Sequence, residues 1–286
     1  MPEVEVFSPL VSVEWLATNI CDPNLVILDA TWYLPGSELE GKAQFEKAHI
    51  PGARYFDFDA TIMDATSSLP HMMPTVEQFS QQVGDMGICN SKRIVIYDGQ
   101  GLFSAPRVWW MFKAMGHRDV AVLDGGLPAW IDAGGETAHG VEGNIVSSCI
   151  YQAQLQATWI IDAEELNRTK ENPHTVILDA RSSERFYGRA PEPRRGVRRG
   201  HIPYSKNLPF VQLVKDGHFL SEDKLALRFK AVADREERLI FTCGSGVTAC
   251  ILALGAYIAG YRQLSVFDGS WVQWGGDPRF PVSFPK

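Results

Sequence analysis

The chain has little that would mark it for a membrane, a nucleic acid or an oxidising compartment. Its beginning, Met1-Pro-Glu-Val-Glu5, is acidic and has no basic region followed by a long apolar run. The expectation is therefore no ordinary signal peptide, membrane anchor or transit peptide. Lys and Arg number 27 against 34 Asp and Glu, a net charge of -7, which argues against a broad nucleic-acid surface. Cysteine is sparse, and Cys21, Cys89, Cys149, Cys243 and Cys250 show no paired spacing. That pattern predicts thiols in a reducing compartment, the cytosol by default, and no disulfide framework. No Cys-x-x-Cys redox pair accompanies Cys243, because position 246 is Gly.

What remains is an ordinary globular composition, 45% hydrophobic and 21% charged, in a chain of 286 residues, long enough for two cores. The two halves echo each other. Val26-Ile-Leu-Asp-Ala30 returns as Val176-Ile-Leu-Asp-Ala180, and His49-Ile-Pro51 as His201-Ile-Pro203. Ile94-Val-Ile-Tyr-Asp-Gly-Gln-Gly101 matches Leu239-Ile-Phe-Thr-Cys-Gly-Ser-Gly246, and Val122-Leu-Asp-Gly-Gly126 matches Val266-Phe-Asp-Gly-Ser270, with Trp130 opposite Trp274. So long a period means a duplicated domain and not a solenoid. In each half, short β-branched runs alternate with amphipathic segments. This predicts an α/β fold: a mainly parallel sheet with helices on both faces. The polar stretch 139–158, with Gly140 and Gly143, reads as a linker between domains at 1–138 and 159–286.

The most telling stretch is Leu239-Ile-Phe-Thr-Cys-Gly-Ser-Gly-Val-Thr-Ala-Cys250. Leu239 to Phe241 predicts a buried strand, and Thr248 to Ala259 a helix stopped by Gly260. Between them, Gly244 and Gly246 permit a tight turn in which backbone N–H groups and the helix N-terminus converge on the Cys243 thiol. Such a setting favours thiolate. Lowering a thiol pKa from ~8.5 by ~2 units raises the thiolate from about 3% to about 75% at pH 7, while nucleophilicity falls by roughly 0.4–0.5 log units per unit of pKa. The net gain is only about three-fold, so the donors are better explained as a cradle for a second sulfur, Cys–S–S⁻. A buried structural thiol is the plainer reading. A Cys-dependent phosphatase loop is excluded, because the residue six after Cys243 is Ala249 and not a phosphate-gripping Arg. Cys250 reads as a small core residue.

Cys243-Gly-Ser-Gly-Val-Thr248 resembles the six-residue active loop of the rhodanese superfamily, in its tandem-domain 3-mercaptopyruvate sulfurtransferase form, and the resemblance runs over essentially the whole chain. It implies two tandem rhodanese-like domains, the N-terminal one inert, since Asp98 stands where the second half has Cys243. It also implies a Cys243 persulfide that takes sulfur from 3-mercaptopyruvate, releases pyruvate, and passes the sulfur to thioredoxin, small thiols or cyanide. Neither metal nor organic cofactor, nor a nucleic-acid or membrane partner, is implied, and mitochondria become an alternative to the cytosol. Thiosulfate sulfurtransfer and a non-enzymatic persulfide carrier are the competing readings. Uncharged Gly244 and Ser245 stand where thiosulfate-specific members carry basic residues, which favours mercaptopyruvate.

The same resemblance assigns site residues. Cys243 is the nucleophile. Gly244, Gly246, Val247 and Thr248 form the loop that holds the substrate sulfur. Arg185 and Arg194 match the clamps on substrate carboxylate and carbonyl, leaving Arg181, Arg189, Arg195, Arg198 and Arg199 as a solvated basic loop. Ser245 is matched to a relay with His71 and Asp59, with Asp57 a competing carboxylate; a turn-forming Ser and a surface His are the plainer readings. Ser104 is expected to cap a helix with Pro106 in its first turn. Arg107 is expected at a domain interface, Trp109 and Trp110 in the core, and Trp32 in a pocket wall or in simple packing. Tyr204 follows His201-Ile-Pro where the family pattern has Gly, so the turn there is expected to differ.

Overall fold

The computed structural model describes residues 7–140 and 147–284. It divides into two compact units, the first comprising Met1–Ala65, Pro74–Leu155 and Asp216–His218, the second Thr66–Met73, Gln156–Lys215 and Phe219–Lys286. A short segment from the first half of the sequence, Thr66–Met73, thus belongs with the second unit. The expected linker 139–158 lies in part, at 141–146, outside the described residues.

The first unit is built on β1 (Leu10–Val11), β2 (Leu25–Asp29), β3 (Arg54–Tyr55), β4 (Arg93–Tyr97) and β5 (Val120–Leu123), in the order β1-β5-β4-β2-β3. All four pairings are parallel. The second unit repeats this with β6 (Ile160–Ile161), β7 (Thr175–Asp179), β8 (Lys206–Asn207), β11 (Arg238–Thr242) and β12 (Leu264–Phe267), in the order β6-β12-β11-β7-β8, again all parallel. Two further short strands, β9 (Val214–Lys215) and β10 (His218–Phe219), pair with each other.

The central strands of both sheets bury four successive residues, which requires cover on both faces because side chains alternate. In the first unit Leu16, Phe45 and Trp130, from helices Val13–Asn19, Gly41–Lys47 and Gly126–Asp132, meet Ile27, Val95, Tyr97, Ala121 and Leu123 of the sheet. The helix Ala105–Ala114 packs on β4 and β5. In the second unit Leu166, Trp271 and Trp274 meet Ile177, Ile240 and Phe267, while Ala249–Ile258 packs on β11 and β12 and is covered by Glu222–Lys230. The expected helix 248–259 is one residue shorter at each end, and Gly260 follows it at φ +92°.

The duplicated His-Ile-Pro motif has a structural role in each unit. His49 stacks on Phe45 at 4.1 Å with Nδ1 2.8 Å from the Phe45 carbonyl. His201 does the same with Phe186, at 4.0 Å and 3.0 Å. The turn after His201 does not differ as expected. Tyr204 takes φ +67° where Gly52 takes φ +77°, so an exposed tyrosine keeps the left-handed conformation that glycine adopts without strain.

The disulfide expectation is also overturned. Cys89 and Cys149 are bonded to each other across 60 residues of sequence, their Cα atoms 5.6 Å apart. Their distance in sequence hides the pairing. It arises because 149–154 folds back on the first unit: Cys149 N–H donates to the Gly84 carbonyl, Asn90 and Gln152 exchange two hydrogen bonds, and Ala153 N–H donates to Ser80 Oγ. Cys21, Cys243 and Cys250 are not disulfide-bonded. No helix among the described residues is long and apolar enough to cross a membrane.

Candidate active site

β11 ends at Thr242, and the chain turns through Cys243 to Thr248 before the helix begins at Ala249. The turn closes because Gly246 takes φ +87°, and its N–H donates to Cys243 Sγ at 3.1 Å. Cys243 is only 2% exposed, while Gly244, Ser245 and Thr248 beside it are partly exposed. The sulfur is therefore tucked beneath the loop at the strand's C-terminal end, more covered than the sequence suggests. Cys250 also lies in the core, its Sγ 3.2 Å from the Gly246 carbonyl.

A second turn holds this one from behind. Trp271 and Val272 donate their N–H groups to the carbonyls of Cys243 and Gly244. Ser270 Oγ accepts from Cys243 N–H at 3.2 Å and donates to the Phe267 carbonyl at 2.9 Å. Ser270 is fully buried at φ +47°, whereas the matching residue of the first unit is Gly126 at φ +56°. A serine held in a glycine conformation for the sake of its hydroxyl escaped the sequence reading, although the Gly126–Ser270 match was visible.

Ser245 Oγ lies 2.9 Å from His71 Nε2, joining residues 174 apart in sequence within the second unit. His71 is 1% exposed and sits at φ +42°, a strained backbone for a non-glycine residue. Two residues on, Met73 N–H donates to Asp268 Oδ2 at 2.7 Å, which ties the His71 segment to the loop after β12. Asp59, matched to the same relay, belongs to the first unit, where its Oδ2 accepts from Trp32 Nε1 at 2.9 Å. Asp57 is engaged in its own turn, accepting from the N–H groups of Asp59 and Ala60 and from the Thr61 hydroxyl. Trp32 is packed, stacking on Phe103 at 6.3 Å. Trp109 and Trp110 are fully buried, and the Arg107 guanidinium, also buried, lies over the Trp110 ring at 4.6 Å.

The basic segment after β7 is not a uniformly solvated loop. Arg181 is 2% exposed and grips both Asp179 oxygens, stacks on Trp271 at 4.5 Å, and donates to Glu192 Oε1 at 2.8 Å. Burial opposes its charge, but Asp179 and Glu192 hold its pKa above the ordinary value. Arg198 donates to the carbonyls of Trp274, Gly275, Asp277 and Phe280, capping a helix end. Both depart from the expectation, because a sequence shows charge but not the carboxylates or carbonyls that meet it. Arg189, Arg195 and Arg199 are partly or fully exposed, as expected.

Arg185, the first of the matched clamps, reaches the loop. Its Nη2 would stand 3.0 Å from a Cβ added at Gly244, so the missing side chain there makes room for the guanidinium. The same nitrogen donates to Glu192 Oε2 at 2.6 Å. Arg194 is half-buried and makes no side-chain hydrogen bond or ion pair among the described residues.

The corresponding loop of the first unit carries an anion of its own. Asp98, fully buried, accepts from the N–H groups of Phe103, Ser104 and Ala105 at Oδ2, at 2.8, 2.9 and 2.9 Å, and from Gln100 N–H at Oδ1. Ser104 precedes the helix as expected, but its hydroxyl makes no capping bond: Pro106 at the second helical position has no N–H, and the Arg107 N–H donates to the Ser104 carbonyl instead.

A Rhodanese-like domain model matches residues 12–133 and 162–277. The chain is 39% identical to the mitochondrial thiosulfate/3-mercaptopyruvate sulfurtransferase 1 of Arabidopsis thaliana, over 98% of this chain and 79% of that protein. It is 40% identical to the 3-mercaptopyruvate sulfurtransferase of Homo sapiens, over 96% of this chain and 94% of that protein. Among solved structures, SseA from Escherichia coli, described as a 3-mercaptopyruvate sulfotransferase, superposes with a TM-score of 0.81 at 32% identity, covering 92% of this chain and 99% of that one.

Proposed function

The chain belongs to the rhodanese-like family, and on that premise we propose that it moves the sulfur of 3-mercaptopyruvate to a thiol or cyanide acceptor through a persulfide on Cys243. The observation that carries this donor is the contact between His71 and Ser245, the latter two residues after the nucleophile, which together can hand a proton to or from a substrate thiol. A cationic side chain there would serve the thiosulfate dianion instead.

The reaction has two halves. Cys243 Sγ, as thiolate, attacks the substrate sulfur. The S–S bond forms as the C–S bond breaks, and the electron pair leaves as a pyruvate enolate that takes up a proton to become pyruvate. Ser245 and His71 manage the proton of the substrate thiol. Arg185 and Arg194 hold the substrate carboxylate and carbonyl, so the charge that develops on the enolate meets two cations. An acceptor nucleophile then takes the outer sulfur and restores the thiolate. Thioredoxin and small thiols are acceptors suited to this chemistry.

The first unit supports the persulfide step. The helix after the loop begins seven residues beyond Asp98 and six beyond Cys243. Counted back from the helix, the amides that hold Asp98 Oδ2 correspond to those of Val247, Thr248 and Ala249. A carboxylate oxygen stands two bonds from Cβ, as the outer sulfur of a persulfide does. The loop is thus suited to an anion at that distance, while Gly246 N–H serves the inner sulfur.

Steady-state rates with cyanide as acceptor test the donor. The expected kcat/KM is at least ten-fold higher for 3-mercaptopyruvate than for thiosulfate. A higher value for thiosulfate would overturn the assignment.

A further inference from the structure

We propose that Glu192 is a positioning residue for the donor half-reaction, holding the Arg185 guanidinium over the Cys243 loop; this rests on the sulfur-transfer reading above. Glu192 lies between Pro191 and Pro193, whose rings restrict the backbone on both sides. Its side chain is 4% exposed, and each oxygen is committed to a different arginine: Oε1 to Arg181 at 2.8 Å, Oε2 to Arg185 at 2.6 Å.

The chain of contacts starts on rigid ground. Asp179 ends a central strand, and its carboxylate holds Arg181 through Nε and Nη2. Arg181 is further fixed by the Gly200 carbonyl and the Trp271 ring. Glu192 carries that fixed geometry on to Arg185, whose side chain is 26% exposed and would otherwise keep much of its rotamer freedom. Held in this way, Arg185 Nη2 sits against Gly244, the residue after the nucleophile. A substrate carboxylate then meets a guanidinium already in place, and less ordering remains to be done on binding. The two carboxylates also balance the charges of Arg181 and Arg185, so the arginines can stay close together.

A purely structural Glu192 would act on both halves of the reaction alike. A positioning Glu192 acts only where Arg185 meets the donor. The test compares wild type with Glu192→Gln and Glu192→Asp in two single-turnover measurements: pyruvate release on first exposure to 3-mercaptopyruvate, and discharge of preformed Cys243 persulfide by cyanide. Glu192→Gln is expected to slow the rate constant of the first at least ten-fold at sub-saturating donor and to leave that of the second within two-fold. Glu192→Asp, which keeps the charge on a shorter arm, should recover part of the loss. Should Glu192→Gln fail to fold, Glu192→Asp alone carries the comparison. Equal slowing of both halves, or no slowing of the first, would overturn the proposal. Persulfide formation from thiosulfate is followed in parallel. If wild type releases no pyruvate, the donor assignment falls, while the ratio of the two half-reactions with thiosulfate still decides the role of Glu192.

Discussion

Asp98 and Cys243 each follow the last residue of the same strand in two copies of one five-stranded parallel sheet, and each is buried under the loop that leads into the next helix. In one copy the loop amides close on a carboxylate that is part of the chain. In the other the side chain is a single sulfur, to which the Gly246 N–H donates at 3.1 Å. The first loop is filled by its own residue; on the proposed function, the second would offer the matching amides to an atom beyond the sulfur.

Replacing Asp98 should therefore unsettle the first unit. Asp98→Ala strips two buried N–H groups, of Ser104 and Ala105, and two less covered ones, of Phe103 and Gln100, of their acceptor, and is expected to cost about 2 kcal/mol or more, since each orphaned buried donor costs roughly 1–3 kcal/mol. Asp98→Asn, which keeps a carbonyl oxygen, should lose less. Denaturant unfolding measures this, and a loss below about 1 kcal/mol for Asp98→Ala would contradict the reading.

Ser270 gives a sharper pair of variants. Ser270→Gly relieves the φ +47° backbone but removes the acceptor of the Cys243 N–H; Ser270→Ala removes the acceptor and keeps the strain. Both are expected to slow persulfide formation, with Ser270→Ala the less stable by about 1 kcal/mol. Equal stability and wild-type kinetics in both would show that the hydroxyl does not set the loop.

The relay is tested by donor choice. Ser245→Ala and His71→Ala should each lower mercaptopyruvate turnover by about 10²-fold, in the range of general acid–base catalysis. Thiosulfate, which has no thiol proton to manage, should be affected much less. Parallel loss with both donors would reduce the 2.9 Å contact to a structural one.

The first unit also carries a pH signature. Burial pushes the Asp29 carboxyl up to about 6 from 3.8, against the Thr31 and Tyr97 contacts, with Asp98 adding to the rise. The folded chain therefore binds this proton more tightly than the unfolded chain does. Below pH ~4 the group is protonated in both states and carries no penalty; as pH rises from ~4 to ~6 the folded state loses stability, by on the order of 3 kcal/mol in all. Asp29→Asn should gain stability on wild type over that window and hold the gain above it. A difference that does not vary with pH between 4 and 7 would contradict this.

Much of this was readable from the repeat. Four pairs of echoing segments predicted two parallel sheets, and the Cys243-Gly-Ser-Gly-Val-Thr loop pointed to the strand end and helix start where the thiol sits. The unread part was pairing at a distance. Arg181 and Arg198 look like members of a solvated basic run until Asp179, Glu192 and the carbonyls after Trp274 are brought to them. Asp29 and Asp179 are identical in the repeat, but Thr31 replaces Arg181, so one carboxylate is buried with a cation and the other without. Cys89 and Cys149 gave no sign because the fold, not their spacing, joins them.

The most direct measurement is the mass of the protein after exposure to 3-mercaptopyruvate without an acceptor, followed by peptide mapping. The account predicts a gain of one sulfur atom on the peptide carrying Cys243, lost again on adding cyanide and absent in Cys243→Ser. An unmodified Cys243, or a sulfur gained elsewhere while turnover proceeds, would contradict it.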